Sequence, residues 1–150
     1  MEYTIPKVSC RLILKEDDVS YTAEPILSPD DMICMMKKLL QTLDWEVVAV
    51  INLDNGLRPI NWSIVAVGTL NSAQFNLSNI FKTAILSNAA AIMLFHNHPG
   101  GTISPSSEDD EVTRMTESAG KLLGIRLVDH IIVGAFNDSY YSYGERGLKK

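Results

Sequence analysis

Continuous apolar runs and stripes of apolar residues spaced three to four apart take turns along the chain, and they predict strands interleaved with helices. Residues 9–15 (Ser-Cys-Arg-Leu-Ile-Leu-Lys) predict a short strand, followed by a polar stretch through Glu24. Ser28-Pro29-Asp30-Asp31 is a helix start, with Ser at the N-cap, Pro at the first helical position and acids in the first turn. That helix should run to about Thr42, with Met32, Met35, Met36, Leu39 and Leu40 as a stripe for the core or for a subunit contact. Glu46 to Leu53 is nearly all apolar, as in a central strand buried on both faces. Asp54-Asn55-Gly56 is a turn, and Ile60 to Val67 returns as the second arm of a hairpin.

Gly68-Thr69-Leu70 leads into a polar loop, and the spacing of Leu77, Ile80, Phe81, Ala84 and Ile85 predicts a helix over 77–88. Ala89 to Phe95 is a third buried strand. A helix begins at Ser106 or Ser107, buries Val112, Met115, Ala119 and Leu122, exposes the pair Glu117 and Lys121, and stops at Gly124. Ile125 to Val133 is a fourth strand, and Tyr140 to Tyr143 a short last one. The sum is an α/β layered fold with a mixed sheet, in one domain over residues 1–150.

Composition narrows the function classes. A net charge of -5 supplies no broad basic surface, so direct nucleic-acid binding is not expected. No apolar run is long enough for a membrane span, and the first residues carry no apolar signal core, which predicts a cytoplasmic protein. Cys10 and Cys34 form no paired or metal-binding motif and read as reduced core thiols.

The chemistry is concentrated between Phe95 and Asp109. His96 and His98 close an apolar run, and residues two apart on a strand share a face, so both imidazoles converge while Asn97 faces away. Pro99, Gly100 and Gly101 turn the backbone aside without covering that point. Asp109, in the first turn of the next helix, supplies a third ligand. Two imidazoles and one carboxylate leave a fourth position for water, as in a catalytic rather than structural zinc site. Ser106-x-x-Asp109 is equally the pattern of a helix capping box. His130 lies in an apolar strand and reads as structural or as a support to the site. His96-Asn97-His98 has the letters of the HNH nuclease motif, but those residues are dispersed over a ββα unit. The deaminase pattern with Pro-Cys-x-x-Cys is absent, and Asp129-His130 has no Gly-x-Ser-x-Gly partner.

His96-x-His98-x7-Ser106-x2-Asp109 resembles the JAMM motif of JAB/MPN metalloproteases. The wording His-Asn-His-Pro-Gly-Gly…Ser-Pro-Ser-Ser-Glu-Asp, then Leu-Leu-Gly-Ile-Arg-Leu-Val-Asp-His-Ile-Ile-Val-Gly (122–134), is similar to the RadC-type branch. Gly68-Thr69-Leu70 and Tyr141-Ser142-Tyr143-Gly144-Glu145-Arg146-Gly147 extend the resemblance over about 28–148, after an N-terminal segment 1–27. It implies a three-layer α/β/α sandwich, cytidine-deaminase-like, with one Zn2+ per chain on His96, His98 and Asp109. It also implies that Ser106 hydrogen-bonds the water or the oxyanion. A glutamate seven residues before a Leu-Asp pair serves as general base in this branch, and Glu46 stands so before Leu53-Asp54. Glu46 is independently an acid at the mouth of a very apolar strand.

Two departures are visible. RadC-type proteins usually carry Ser where Gly100 stands, which removes no ligand. The 27 residues before the first helix are too few for the helix-hairpin-helix segment that often precedes the domain, so the chain reads as a short form. The expected activity is a zinc-dependent hydrolysis of peptide or isopeptide bonds. The alternative is a non-catalytic interaction module in DNA repair, recombination or mobile-element systems. A homodimer through the Met-rich helix 32–40 is a further expectation.

Overall fold

A computed structural model describes residues 7–15, 27, 29–68, 76–135 and 138–146. The first helix, α1 (Pro29–Leu40), carries Asp30 and Asp31 in its first turn and Lys37 and Lys38 in its last, each sign matched to the helix dipole. It stops two residues before the expected Thr42, whose hydroxyl donates to the Leu39 carbonyl at 2.9 Å and satisfies one terminal acceptor. The proposed cap Ser28 and the loop 69–75 lie outside the described residues.

Strands β1 (Val47–Leu53) and β2 (Pro59–Val67) form the expected antiparallel hairpin. The Asp54 carboxylate closes its turn, accepting from the Gly56 and Arg58 amides, and Leu57 rather than Gly56 takes the left-handed conformation (φ 62). Helix α2 (Leu77–Leu86) starts at the N-cap Asn76, whose side chain accepts from the Ser78 amide. Then come β3 (Ala91–His98), α3 (Ser107–Leu123), β4 (Arg126–Gly134) and β5 (Tyr140–Ser142). The third strand begins and ends later than expected, so both histidines belong to β3 itself.

The five strands are ordered β2-β1-β3-β4-β5. β1 is antiparallel to β2 and β3, β3 is parallel to β4, and β5 is antiparallel to β4, so the sheet is mixed. Both central strands are buried along their whole length, and alternate residues serve opposite cores. Val47, Ala49, Ile51, Leu53, Met93 and Phe95 face α1, where Met32, Met36 and Leu40 pack. Val48, Val50, Ile92 and Leu94 face the other way, toward Ile80, Phe81 and Ala84 of α2 and Val112 of α3. A helix on one face and two on the other make the α/β/α sandwich.

Three expectations change. Residues 7–15 are exposed and pair with no strand among the described residues, because an alternating pattern makes a strand only where a ladder partner accepts it. Cys10 and Cys34 are free but exposed, the first in that segment and the second on the outer side of α1. Helix α3 keeps Val112 and Ala119 of its expected face against the core but turns Leu122 out. Leu122 is 89% exposed, and the residues turned inward are Asp109, Val112, Thr113, Thr116 and Gly120. The Met-rich stripe of α1 lies largely in the core, with Met32 and Met36 fully buried.

Candidate metal centre

The alternation of β3 places its even residues on the α2/α3 side, which carries His96 and His98 to the face under the start of α3. The same rule on β1 sends Glu46 there, beyond Val48 and Val50, and the register Val48↔His96 sets Glu46 beside His98. Glu46, His96 and His98 each bring one ligand atom to within 4.8 Å of the others, so these residues could hold a metal ion. The expected convergence of the histidines and the half-buried Glu46 is present.

Asp109, expected as the third ligand, is not one of these three and meets the histidines from α3. Its Oδ1 is 2.8 Å from Nδ1 of His96, and its Oδ2 is 3.5 Å from Nε2 of His98. The imidazoles meet edge to face, with ring centroids 4.7 Å apart. The Nδ1 of His98 lies 2.9 Å from the Thr102 carbonyl, which can only accept, so Nδ1 carries the proton and Nε2 presents a lone pair to the cluster. The contact from His96 to Asp109 lacks hydrogen-bond direction. Both ring nitrogens of His96 and Oδ1 of Asp109 are therefore buried without a directed hydrogen-bond partner. Buried polar atoms left so are costly, and imidazole nitrogens beside a carboxylate are the donor set that zinc accepts. These residues fit a metal ion.

The electrostatics of the cluster follow from these contacts. Burial pushes the Asp109 carboxyl up, but His96, His98 and the Ser106 donors outweigh it and hold the group well below the usual carboxylate range. The Asp109 carboxylate beside it raises the His98 imidazole against the opposing effect of burial. His130 goes the other way: complete burial, helped by the charge of His96, holds it at about 3.

Ser106 and Asp109 realise the capping box in full. The Ser106 amide and hydroxyl each donate to Asp109 Oδ2 at 2.7 Å, while the Asp109 amide donates to the Ser106 hydroxyl at 3.1 Å. Cap and ligand are compatible because Oδ1 faces His96 free of the cap, while Oδ2 holds the helix start and lies 3.5 Å from His98.

The family-model comparison matches residues 26–148 to the RadC-like JAB domain, which is 123 consecutive residues around this cluster. The chain belongs to the RadC-like JAB domain family. Among curated relatives, a UPF0758 protein of Chloroflexus aurantiacus is 44% identical over 124 residues, covering 83% of this chain and 53% of the relative. One from Desulfitobacterium hafniense is 37% identical over 134 residues (86% and 58%), and one from Roseiflexus castenholzii 37% over 142 (95% and 59%). The chain thus spans little more than half the length of these relatives, whose shared name states no activity.

Within this RadC-like domain, several buried polar residues serve the site without having been assigned a role from sequence. Asn97 faces away from the histidines, as expected, but its side chain grips both neighbours of Glu46. Its Oδ1 accepts from the Val47 amide at 2.7 Å and its Nδ2 donates to the Trp45 carbonyl at 3.0 Å. The signal was a polar residue within a strand buried on both faces, which must find a partner. Thr113 lies four residues after Asp109, hence on the same helix face. Asp129, expected to do no triad chemistry, accepts from the Ser142 hydroxyl at 2.6 Å and from the His130 and Gly144 amides at 2.7 Å. Burial raises its carboxyl, against those three donors.

Proposed function

We propose that the chain is a zinc-dependent hydrolase of peptide or isopeptide bonds, holding one zinc ion on His96, His98 and Asp109. The observation that carries this reading is the meeting of two buried imidazoles and two carboxylates, with the nitrogens of His96 lacking directed hydrogen bonds. Zinc held there would supply Lewis-acid polarisation of a carbonyl and acidify a water at neutral pH.

The chain's own residues then divide the remaining work. Glu46, beside His98 at the mouth of β1, takes a proton from the attacking water as its oxygen bonds the carbonyl carbon. It returns that proton to the departing amine as the carbon–nitrogen bond breaks. Asn97 holds Glu46 in place through the main chain on either side of it. Ser106 orients Asp109 through Oδ2 by amide and hydroxyl; to serve the developing oxyanion, the hydroxyl proton would turn away from Oδ2, leaving the amide to hold it.

The test is metal content per chain by elemental analysis, for the wild type beside Asp109→Ala, followed by peptide and isopeptide hydrolysis beside Glu46→Gln. The expected result is about one zinc per wild-type chain, lost in a folded Asp109→Ala, with Glu46→Gln retaining metal and losing hydrolysis. A folded wild type that takes up no zinc would end the hydrolase reading and leave the interaction module. Loss of metal in Glu46→Gln would make Glu46 a ligand instead of the base.

A further inference from the structure

Three rings stand in series beside the candidate metal centre. Tyr143 stacks on His130 with centroids 5.2 Å apart and planes 10° from parallel. His130 lies nearly parallel to His96, with centroids 6.3 Å apart and planes at 13°. Two hydrogen bonds leave this series for the beginning of α3. The Tyr143 hydroxyl donates to Asp110 Oδ1 at 2.7 Å. Nδ1 of His130 lies 2.7 Å from the Thr113 hydroxyl. Thr113 spends its single hydroxyl proton on the Asp109 carbonyl, also at 2.7 Å, so toward His130 it accepts and Nδ1 donates. One connection thus reaches the residue next to Asp109, and the other reaches the carbonyl of Asp109 itself.

These connections matter because of what else holds that turn. Ser107, Glu108 and Asp110 are exposed, and the capping box ties Asp109 to Ser106, which is exposed as well. The cap shapes the helix start but does not fasten it to the sheet. Tyr143 and His130 do, from a rigid base. The Tyr143 amide donates to the His130 carbonyl at 3.0 Å, and the residues flanking Tyr143 are bound to the buried Asp129 carboxylate. A Cβ on Gly144 would stand 2.9 Å from that carboxylate, so the approach requires glycine there.

We infer that Tyr143 and His130 are positioning residues that clamp the first turn of α3 onto β4, holding the Asp109 carboxylate against His96 and His98 to receive a metal ion. The inference rests on the metal reading above and adds the device that preorganises its carboxylate ligand. Neither residue is assigned contact with the ion. Both act through α3: Tyr143 by way of Asp110, His130 by way of Thr113. Partners that orient a metal ligand typically cost about 10- to 100-fold in affinity when removed.

The experiment uses the full chain, stripped of metal, with zinc affinity read by competition against a chromophoric chelator and amide hydrogen exchange read over residues 108–111. Tyr143→Phe removes one hydroxyl and keeps the stacked ring; it should weaken zinc binding about tenfold and speed exchange in that turn. Thr113→Val should weaken binding by a similar factor, and Thr113→Ser, which keeps the hydroxyl, should restore it. Tyr141→Phe is the control, since it deletes a hydroxyl two residues away with no tie to α3. Wild-type affinity and exchange in Tyr143→Phe overturn the clamp. Equal losses in Tyr141→Phe and Tyr143→Phe overturn it too, because the effect would then belong to the stability of the terminal turn. A wild type that takes up no zinc overturns the metal reading, and with it the purpose given to the clamp.

Discussion

Gly120→Ala should destabilise the protein although alanine is the better helix former. Gly120 sits on the buried side of α3, one turn before the helix ends at Gly124. A Cβ added there would stand 2.3 Å from the Ile125 carbonyl oxygen, with the Leu127 amide nitrogen at 3.6 Å. That is more than an ångström inside the roughly 3.5 Å of ordinary carbon contact. The obstacle is backbone and is held in place, because the Ile125 amide itself donates to the Gly120 carbonyl at 2.9 Å. Helix propensity favours alanine by about 1 kcal/mol, whereas overpacking a close contact costs about 1–3 kcal/mol, with rigid backbone at the upper end. The net is a loss of about 1–2 kcal/mol, or a melting temperature lower by about 2–8 °C for a domain of this size. Thermal unfolding of the metal-free protein followed by circular dichroism would show it. Gly100→Ala is the companion measurement, since a Cβ there meets nothing within 4 Å and the melting point should not move. If Gly120→Ala melts at or above the wild-type temperature, α3 does not lie this close to the start of β4 and the account of their packing is wrong.

Other outcomes follow from the same contacts. Leu122→Glu should stay within about 0.5 kcal/mol of wild type, because the side chain is 89% exposed; a large drop in the urea midpoint would mean that this side of α3 is covered. Asn97→Ala should cost about 1–3 kcal/mol by leaving the buried Val47 amide without its acceptor, and a neutral midpoint would deny the grip on residues 45–47. His130 carries the loss of stability toward acid, and the raised carboxyl of buried Asp129 works against it. With a folded pKa of about 3 against 6.5 unfolded, the contribution of His130 is fully present above 6.5 and is lost as pH falls toward 3. The raised His98 adds no slope below 6.5, where its contribution is already complete. Metal-free wild type should therefore lose up to about 1.4 kcal/mol per pH unit between pH 6.5 and 5, and His130→Asn should lack that slope; equal slopes in both would refute the assignment.

The parts of the fold that were legible in the sequence are those whose burial is continuous or whose ends are chemically marked. The apolar runs 46–53 and 89–95 could hardly be anything but central strands, although β3 starts at Ala91 and continues through His98, and Ser106 and Gly124 marked both ends of α3. The histidines and Asp109 were legible for a related reason, since strand alternation and the first helical turn fix where those side chains go. The inward face of α3 was not. Apolar periodicity pointed to Met115 and Leu122, but the helix is turned so that Asp109 meets the histidines, Thr113 meets His130 and Gly120 meets Ile125. That orientation is set by polar partners distant in sequence, which a hydrophobic pattern cannot register. Residues 9–15 failed for the opposite reason: their local pattern is good, and no ladder partner takes it up.

The grip of Asn97 on the amide of residue 47 and the carbonyl of residue 45 makes no use of the side chain between them. The scaffold therefore holds position 46 for whichever residue is written there, and exchanging the acid for its amide disturbs none of the bonds that place it. Where Glu46 is the proposed base, a variant with the same architecture and without that acid lies a single substitution away. The chemistry at position 46 can therefore be changed without rebuilding the fold around it.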